Sequence, residues 1–98
     1  MPQFILLCSD KPDSLSLRKE TRPAHLEYFH SYGNKLILGG PMLDDAGNPK
    51  GSMMVIEADD EAAARELSAN DPYAKAGLFA EVRIIPFNAV IINPPDGA

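Results

Sequence analysis

The sequence predicts an α+β fold with the element order β-α-β-β-α-β and an antiparallel sheet. Short runs of strand-forming residues are bounded by Gly, Pro, Asn and Asp, which set turns. Two longer stretches carry helical patterning, one of them repeating its apolar residues close to a 3.6-residue period, and the two kinds of segment alternate in that order. The chain of 98 residues suffices for one domain with a modest core, burying roughly 60 to 70% of the surface that the unfolded chain exposes.

Phe4 to Cys8 is an apolar run closed by Ser9-Asp10-Lys11-Pro12, which reads as a buried strand and a turn. From Ser14 the pattern becomes helical, with Asp13 or Ser14 at the cap and Leu15, Arg18, Arg22, His25, Leu26, Phe29 and Tyr32 close to helical spacing. Pro23 interrupts that pattern. A proline lacks the N–H that an interior helical position needs, so a kink is expected, or two pieces, Ser14 to Glu20 and Arg22 to Ser31, ended by Gly33.

The second strand is expected over Lys35 to Met42, where Gly39 and Gly40 imply a bulge, a close approach of another group, or a strand end. Leu43 to Lys50 is a polar hairpin loop leading to a third strand, Gly51 to Ala58. Asp59, Asp60 and Glu61 suit the positive end of the next helix, which continues to Ala69. At the junction that follows, Asp71 suits an N-cap, Pro72 the first helical position and Gly77 a left-handed exit, so a single turn is fully punctuated. Phe79 to Asn88 is the last strand. Ala89 to Asn93 is apolar enough to pair as an additional strand, and 94–98 reads as a flexible tail after a single domain over 1–93.

Composition excludes several function classes. Net charge is -5, and the nine Lys and Arg residues are scattered, so nucleic acid is not an expected partner. The amino-terminal run is too short for export or a membrane span, which makes the cytoplasm the expected location. The single cysteine, Cys8, reads as a buried small hydrophobe, and no zinc or calcium ligand spacing implies a metal. Leu36-Ile37-Leu38, Met53-Met54-Val55-Ile56 and Ile84-Ile85 are apolar on both strand faces. Two helices cover one face, so the other is expected to pack on a second copy in a homodimer, unless Val90 to Ile92 and the loops cover it.

Arg18, Arg22 and His25 fall at helical spacing on one face, an anion-binding arrangement that includes a titratable group. His30 lies toward the flank and reads as an ordinary surface residue. Tyr28, Tyr32 and Tyr73 suit either a pocket wall or the core. Asp71, as a cap, is also well oriented to meet an imidazole, but no spacing rule says which histidine it meets.

Taken in order, Arg22-Pro23-Ala24-His25-Leu26, Gly39-Gly40-Pro41, Gly51-Ser52, Asp71-Pro72-Tyr73, Ala76-Gly77-Leu78-Phe79 and Ile85-Pro86-Phe87 resemble the YCII-related (YciI-like) family from about Met1 to Phe87. The resemblance implies a ferredoxin-like fold that pairs face to face into a dimeric α+β barrel. It also implies an active-site pair in a cleft, at His25 and Asp71 here, and lyase or dehalogenase-like chemistry on small ring compounds. The expected protein is an enzyme without a cofactor, in which Asp71 orients His25 as a base for a small acidic or phenolic substrate. Arg22 and Arg18 would hold the substrate's negative charge, and Ser52 and Tyr73 would supply hydrogen bonds. The competing expectations are a non-catalytic metabolite-binding dimer and a dimerising scaffold.

Overall fold

The computed structural model describes residues 1–93, so the expected flexible tail at 94–98 lies outside the described residues. The chain runs β1 (Gln3–Asp10), α1 (Leu15–Tyr32), β2 (Leu36–Leu43), β3 (Pro49–Glu57), α2 (Glu61–Ala69), α3 (Pro72–Lys75) and β4 (Phe79–Phe87). The strands form one antiparallel sheet in the order β2-β3-β1-β4, the ferredoxin-like α+β arrangement, with the one-turn α3 added before the last strand.

β1 occupies the middle of the sheet and alternates buried and partly buried positions, as a strand with different surroundings on its two faces must. Phe4, Leu6 and Cys8 join Met54 and Ile56 of β3, Phe29 of α1 and Ala64 of α2 in one apolar cluster. Full burial of a side chain such as Leu6 contributes about 1.5 to 3 kcal/mol. Ile5, Leu7, Met53 and Val55 pair across β1 and β3 on the opposite face, which exposed Leu38 and Phe87 extend.

Several local expectations are corrected. α1 is one helix of 18 residues that passes through Pro23 without ending. Its halves are held by tertiary contacts on both sides of the proline, which outweigh the hydrogen bond that Pro23 cannot donate. Arg18 pairs with Asp10, His25 meets Asp71, and Phe29 is buried. Tyr28 and Tyr32, which the sequence leaves open between pocket wall and core, pack against the core, and their hydroxyls donate to the carbonyls of Leu67 and Glu57, tying α1 to α2 and β3. Ser14 stands at the N-cap, but its hydroxyl donates to the Pro12 carbonyl at 3.3 Å instead of accepting from the helix.

Lys35 closes a 3-10 turn (Gly33–Lys35), so β2 begins one residue later than expected, and β3 begins earlier, at Pro49. The bulge in β2 falls at Ile37, where the register to β3 shifts, while Gly39 marks a close approach: a Cβ there would lie 2.8 Å from Met54 Cγ. Ala89 to Asn93 forms no strand, and Val90, Ile91 and Ile92 are exposed, so they do not cover the second sheet face. Only Asn88 separates this segment from β4, too short a turn to bring it back alongside a sheet edge. No described helix is long and apolar enough to cross a membrane.

Gly51 is the tightest glycine in the sheet. A Cβ there would collide with the Cys8 carbonyl oxygen and lie 2.6 Å from Met42 Cε. Gly51→Ala is therefore expected to destabilise the fold by at least about 2 kcal/mol, near the upper part of the range for overpacked sites. The midpoint of urea unfolding, with an unchanged slope, measures it.

Candidate active site

The site begins at α3, where the local sequence works as its residue types dictate. Asp71 caps the turn, its Oδ1 accepting the Tyr73 N–H at 2.9 Å, Pro72 fills the first helical position, and Gly77 leaves with φ 78°. The same Oδ1 lies 2.9 Å from Nδ1 of His25 on α1. Asp71 is 1% exposed and the His25 side chain 12%, so the pair is screened from water but open at the imidazole end. A backbone N–H can only donate, which makes Oδ1 the acceptor in both bonds and Nδ1 the donor. In the neutral imidazole the basic lone pair is then on Nε2.

Tyr73 supplies its ring as well as its N–H. The ring is stacked on His25 at 4.0 Å between centroids, and His25 leans on Phe29 at 5.0 Å. Arg18 lies over the same Tyr73 ring, its Cζ 4.6 Å from the centroid. The guanidinium is held by Asp10 through Nε at 2.6 Å and Nη2 at 2.8 Å, and Nη2 also donates to Ser52 Oγ at 2.9 Å. Every buried side-chain nitrogen and oxygen among the described residues has a hydrogen-bond partner.

These groups line a cavity of about 310 Å³ between α1 and the sheet, near the lower end of small-molecule sites. Its walls include Arg18, Arg22, His25, Ser52 and Tyr73, and Asp71 stands behind His25. Five of the six residues singled out from the sequence thus share one contiguous set, and Arg22 reaches the same cavity as an exposed residue. His30, expected to be an ordinary surface residue, is exposed and also lines it.

Asp10 is the residue that sequence reasoning missed. Its place in the sequence suggests a turn, yet it is the last residue of β1, at the point where the β1 and β4 register shifts. A strand of eight residues ending there would have placed the carboxylate at the base of the next helix, opposite the start of β3. Its consequence is electrostatic. Burial opposes the charge on Arg18, but the Asp10 hydrogen bond and charge more than offset it and hold the guanidinium pKa above its ordinary value. Burial pushes the Tyr73 phenol up, against the opposing pull of Arg18 and Arg22. Burial, and secondarily the Asp71 charge, push the Cys8 thiol up to about 12.

The sequence pattern of the YCII-related domain matches residues 2–88. The chain belongs to the YCII-related family. Its relatives include the protein YciI of Escherichia coli, 34% identical over 96 residues, covering 89% of this chain and 97% of the relative. The derivative of benzaldehyde biosynthesis cluster protein C of Emericella nidulans is 42% identical over an alignment of 76 residues that covers 66% of this chain and 76% of that protein. Among solved structures, the 5-chloro-2-hydroxyhydroquinone dehydrochlorinase of Burkholderia phenoliruptrix, in complex with 2,5-dihydroxybenzoquinone, superposes with a TM-score of 0.81 at 33% identity. That comparison covers 88% of this chain and 93% of the other, so the two chains share a fold over most of their length.

Two measurements check the electrostatics. The Cys8 thiol should resist alkylation in the native protein at pH 8 and react fully in urea, because only the thiolate is the nucleophile. Burial also raises Tyr28 and Tyr32, so with Tyr73 the three phenols should ionise above their ordinary 10.0 in the folded state. The unfolded chain then releases these protons first, and stability falls as pH rises from the ordinary value through the folded ones. Tyrosinate absorbance in native and denaturing buffer measures both titrations.

Proposed function

We propose that this chain is a small enzyme, needing no cofactor, that uses His25 as a general acid and base on a hydroxylated ring compound in a lyase or dehalogenase-like reaction. The observation that carries the reading is the short bond from His25 Nδ1 to a buried, doubly engaged Asp71, which leaves Nε2 unpaired at a cavity of single-ring size. The kinship with a dehydrochlorinase at 33% identity supports the reaction class.

In the proposed reaction Nε2 takes the proton of one ring hydroxyl, and Asp71 stabilises the imidazolium that forms. The imidazolium returns that proton to the ring carbon bearing the leaving group. A second ring hydroxyl then loses its proton as the halide leaves with the electrons of its bond. The sum is loss of HX and formation of a quinone, with no outside oxidant. Arg22 faces the oxygen on which negative charge develops, and Ser52 and Tyr73 offer hydroxyl groups to the ring substituents. Arg18, already matched by Asp10, fixes Tyr73 and Ser52 in place.

The working unit in this proposal is a homodimer through the apolar sheet face that carries Ile5, Leu7, Met53 and Val55. A buried area on the order of 2,000 Å² in total is expected for such an obligate pairing. Light scattering at micromolar concentration should give twice the chain mass, and a natively folded monomer would refute it.

Measured below the melting temperature of the variant, kcat on 5-chloro-2-hydroxyhydroquinone is expected to fall by about 10²- to 10⁴-fold in His25→Asn. Asp71→Asn should lower it as well, while an amide oxygen keeps part of the cap. Full turnover by His25→Asn would end the enzyme reading, and saturable binding without turnover by the parent would favour the binding module.

A further inference from the structure

The cavity wall carries basic side chains and no carboxylate. The basic residues are Arg18, Lys19, Arg22, His25 and His30, in a chain whose net charge is -5. These five are not equivalent. Arg18 is 4% exposed and doubly bonded to Asp10, and His25 is bonded to Asp71, so each already has a carboxylate. Lys19 and Arg22 are exposed, and among the described residues neither is in an ion pair. They stand three residues apart on α1, a spacing that brings two side chains to one face of a helix. The cavity mouth is thus a place of uncompensated positive charge, above an interior whose apolar surfaces are Phe29, Leu36, Met54 and the Tyr73 ring. Such a mouth attracts anions and pays little for holding them, because both cations remain in water.

We infer that the substrates of this site are single-ring hydroxy acids, bound with a ring carboxylate between Lys19 and Arg22 and a ring hydroxyl toward His25 Nε2. The inference rests on the reading of His25 as the base and narrows it from phenols in general to phenols with a second, permanently charged group. Two-point binding also explains why the cavity needs two unmatched cations when the reaction itself develops charge on one oxygen. Lys19 is the specificity residue that this adds to the site.

The test uses calorimetric titration of the full chain with gentisate, its amide gentisamide, and hydroquinone, at low and at physiological salt. Gentisate should bind about tenfold more tightly than gentisamide at low salt, and the gap should narrow as salt screens the mouth. Lys19→Gln, at the one cation of the mouth with no part in the reaction itself, should weaken gentisate about threefold and leave gentisamide and hydroquinone unchanged. Equal affinity of the parent for gentisate and gentisamide, equal loss of both in Lys19→Gln, or binding of none of the three overturns the carboxylate clamp. The reading of His25 fails separately: it falls if His25→Asn keeps full turnover, whatever the preference among the three probes. A circular dichroism melt of each variant establishes that it is folded before its affinity is compared.

Discussion

One carboxylate oxygen fixes the geometry of the site. Oδ1 of Asp71 accepts from the Tyr73 N–H, which starts α3, and from His25 Nδ1, which pins the middle of α1 against it. The local turn and the packing of the long helix therefore share a single acceptor. Removing that oxygen would strand two donors, one of them buried with Tyr73 at 1% exposure, and an unmet buried donor costs about 1 to 3 kcal/mol. The cap and the orienting bond are one device seen from two elements.

A second carboxylate repeats the arrangement one step away. Asp10 serves Arg18 as Asp71 serves His25, and the Tyr73 ring touches both basic groups. The two anions come from the sheet and from α3, whereas both basic groups come from α1, seven residues apart and so on one face after two turns. Asp10 and Arg18 offset each other's charge, and the buried Asp71 carboxylate is held by two N–H donors, as a low-dielectric site requires. Arg22, between them in sequence, is exposed at the edge of the same cavity.

What the sequence made legible was local chemistry. The Asp71-Pro72 start and the Gly77 exit of α3 follow from cap and turn preferences alone, and the alternation of Phe4, Leu6 and Cys8 marks β1. The helical spacing of Arg18, Arg22 and His25 also held, because α1 continues past Pro23. What stayed hidden depended on contacts distant in the chain. The anchors that carry α1 through Pro23 come from four other elements, so helix propensity near the proline misjudged it. The partner of Asp71 came from family resemblance and not from spacing, and Asp10 looked like a turn residue because its guanidinium partner is positioned only by the whole fold. Apolar character alone suggested a strand at Ala89 to Asn93, where the short link from β4 forbids the reversal.

The β2 to β3 hairpin divides the site between two halves of the chain. Asp10, Arg18 and His25 precede the exposed turn at Asp44 to Asn48, and Ser52, Asp71 and Tyr73 follow it. The bonds from His25 to Asp71, 46 positions apart, and from Arg18 to Ser52, 34 apart, both cross that turn, as do the stacks on Tyr73. Neither half holds the imidazole together with its carboxylate partner. A nick at the hairpin would leave two fragments of comparable size, each retaining part of the sheet, and the constellation would exist only while they are bound together. Recovery of the site on mixing would then measure docking of the halves, making this domain a reporter of its own assembly.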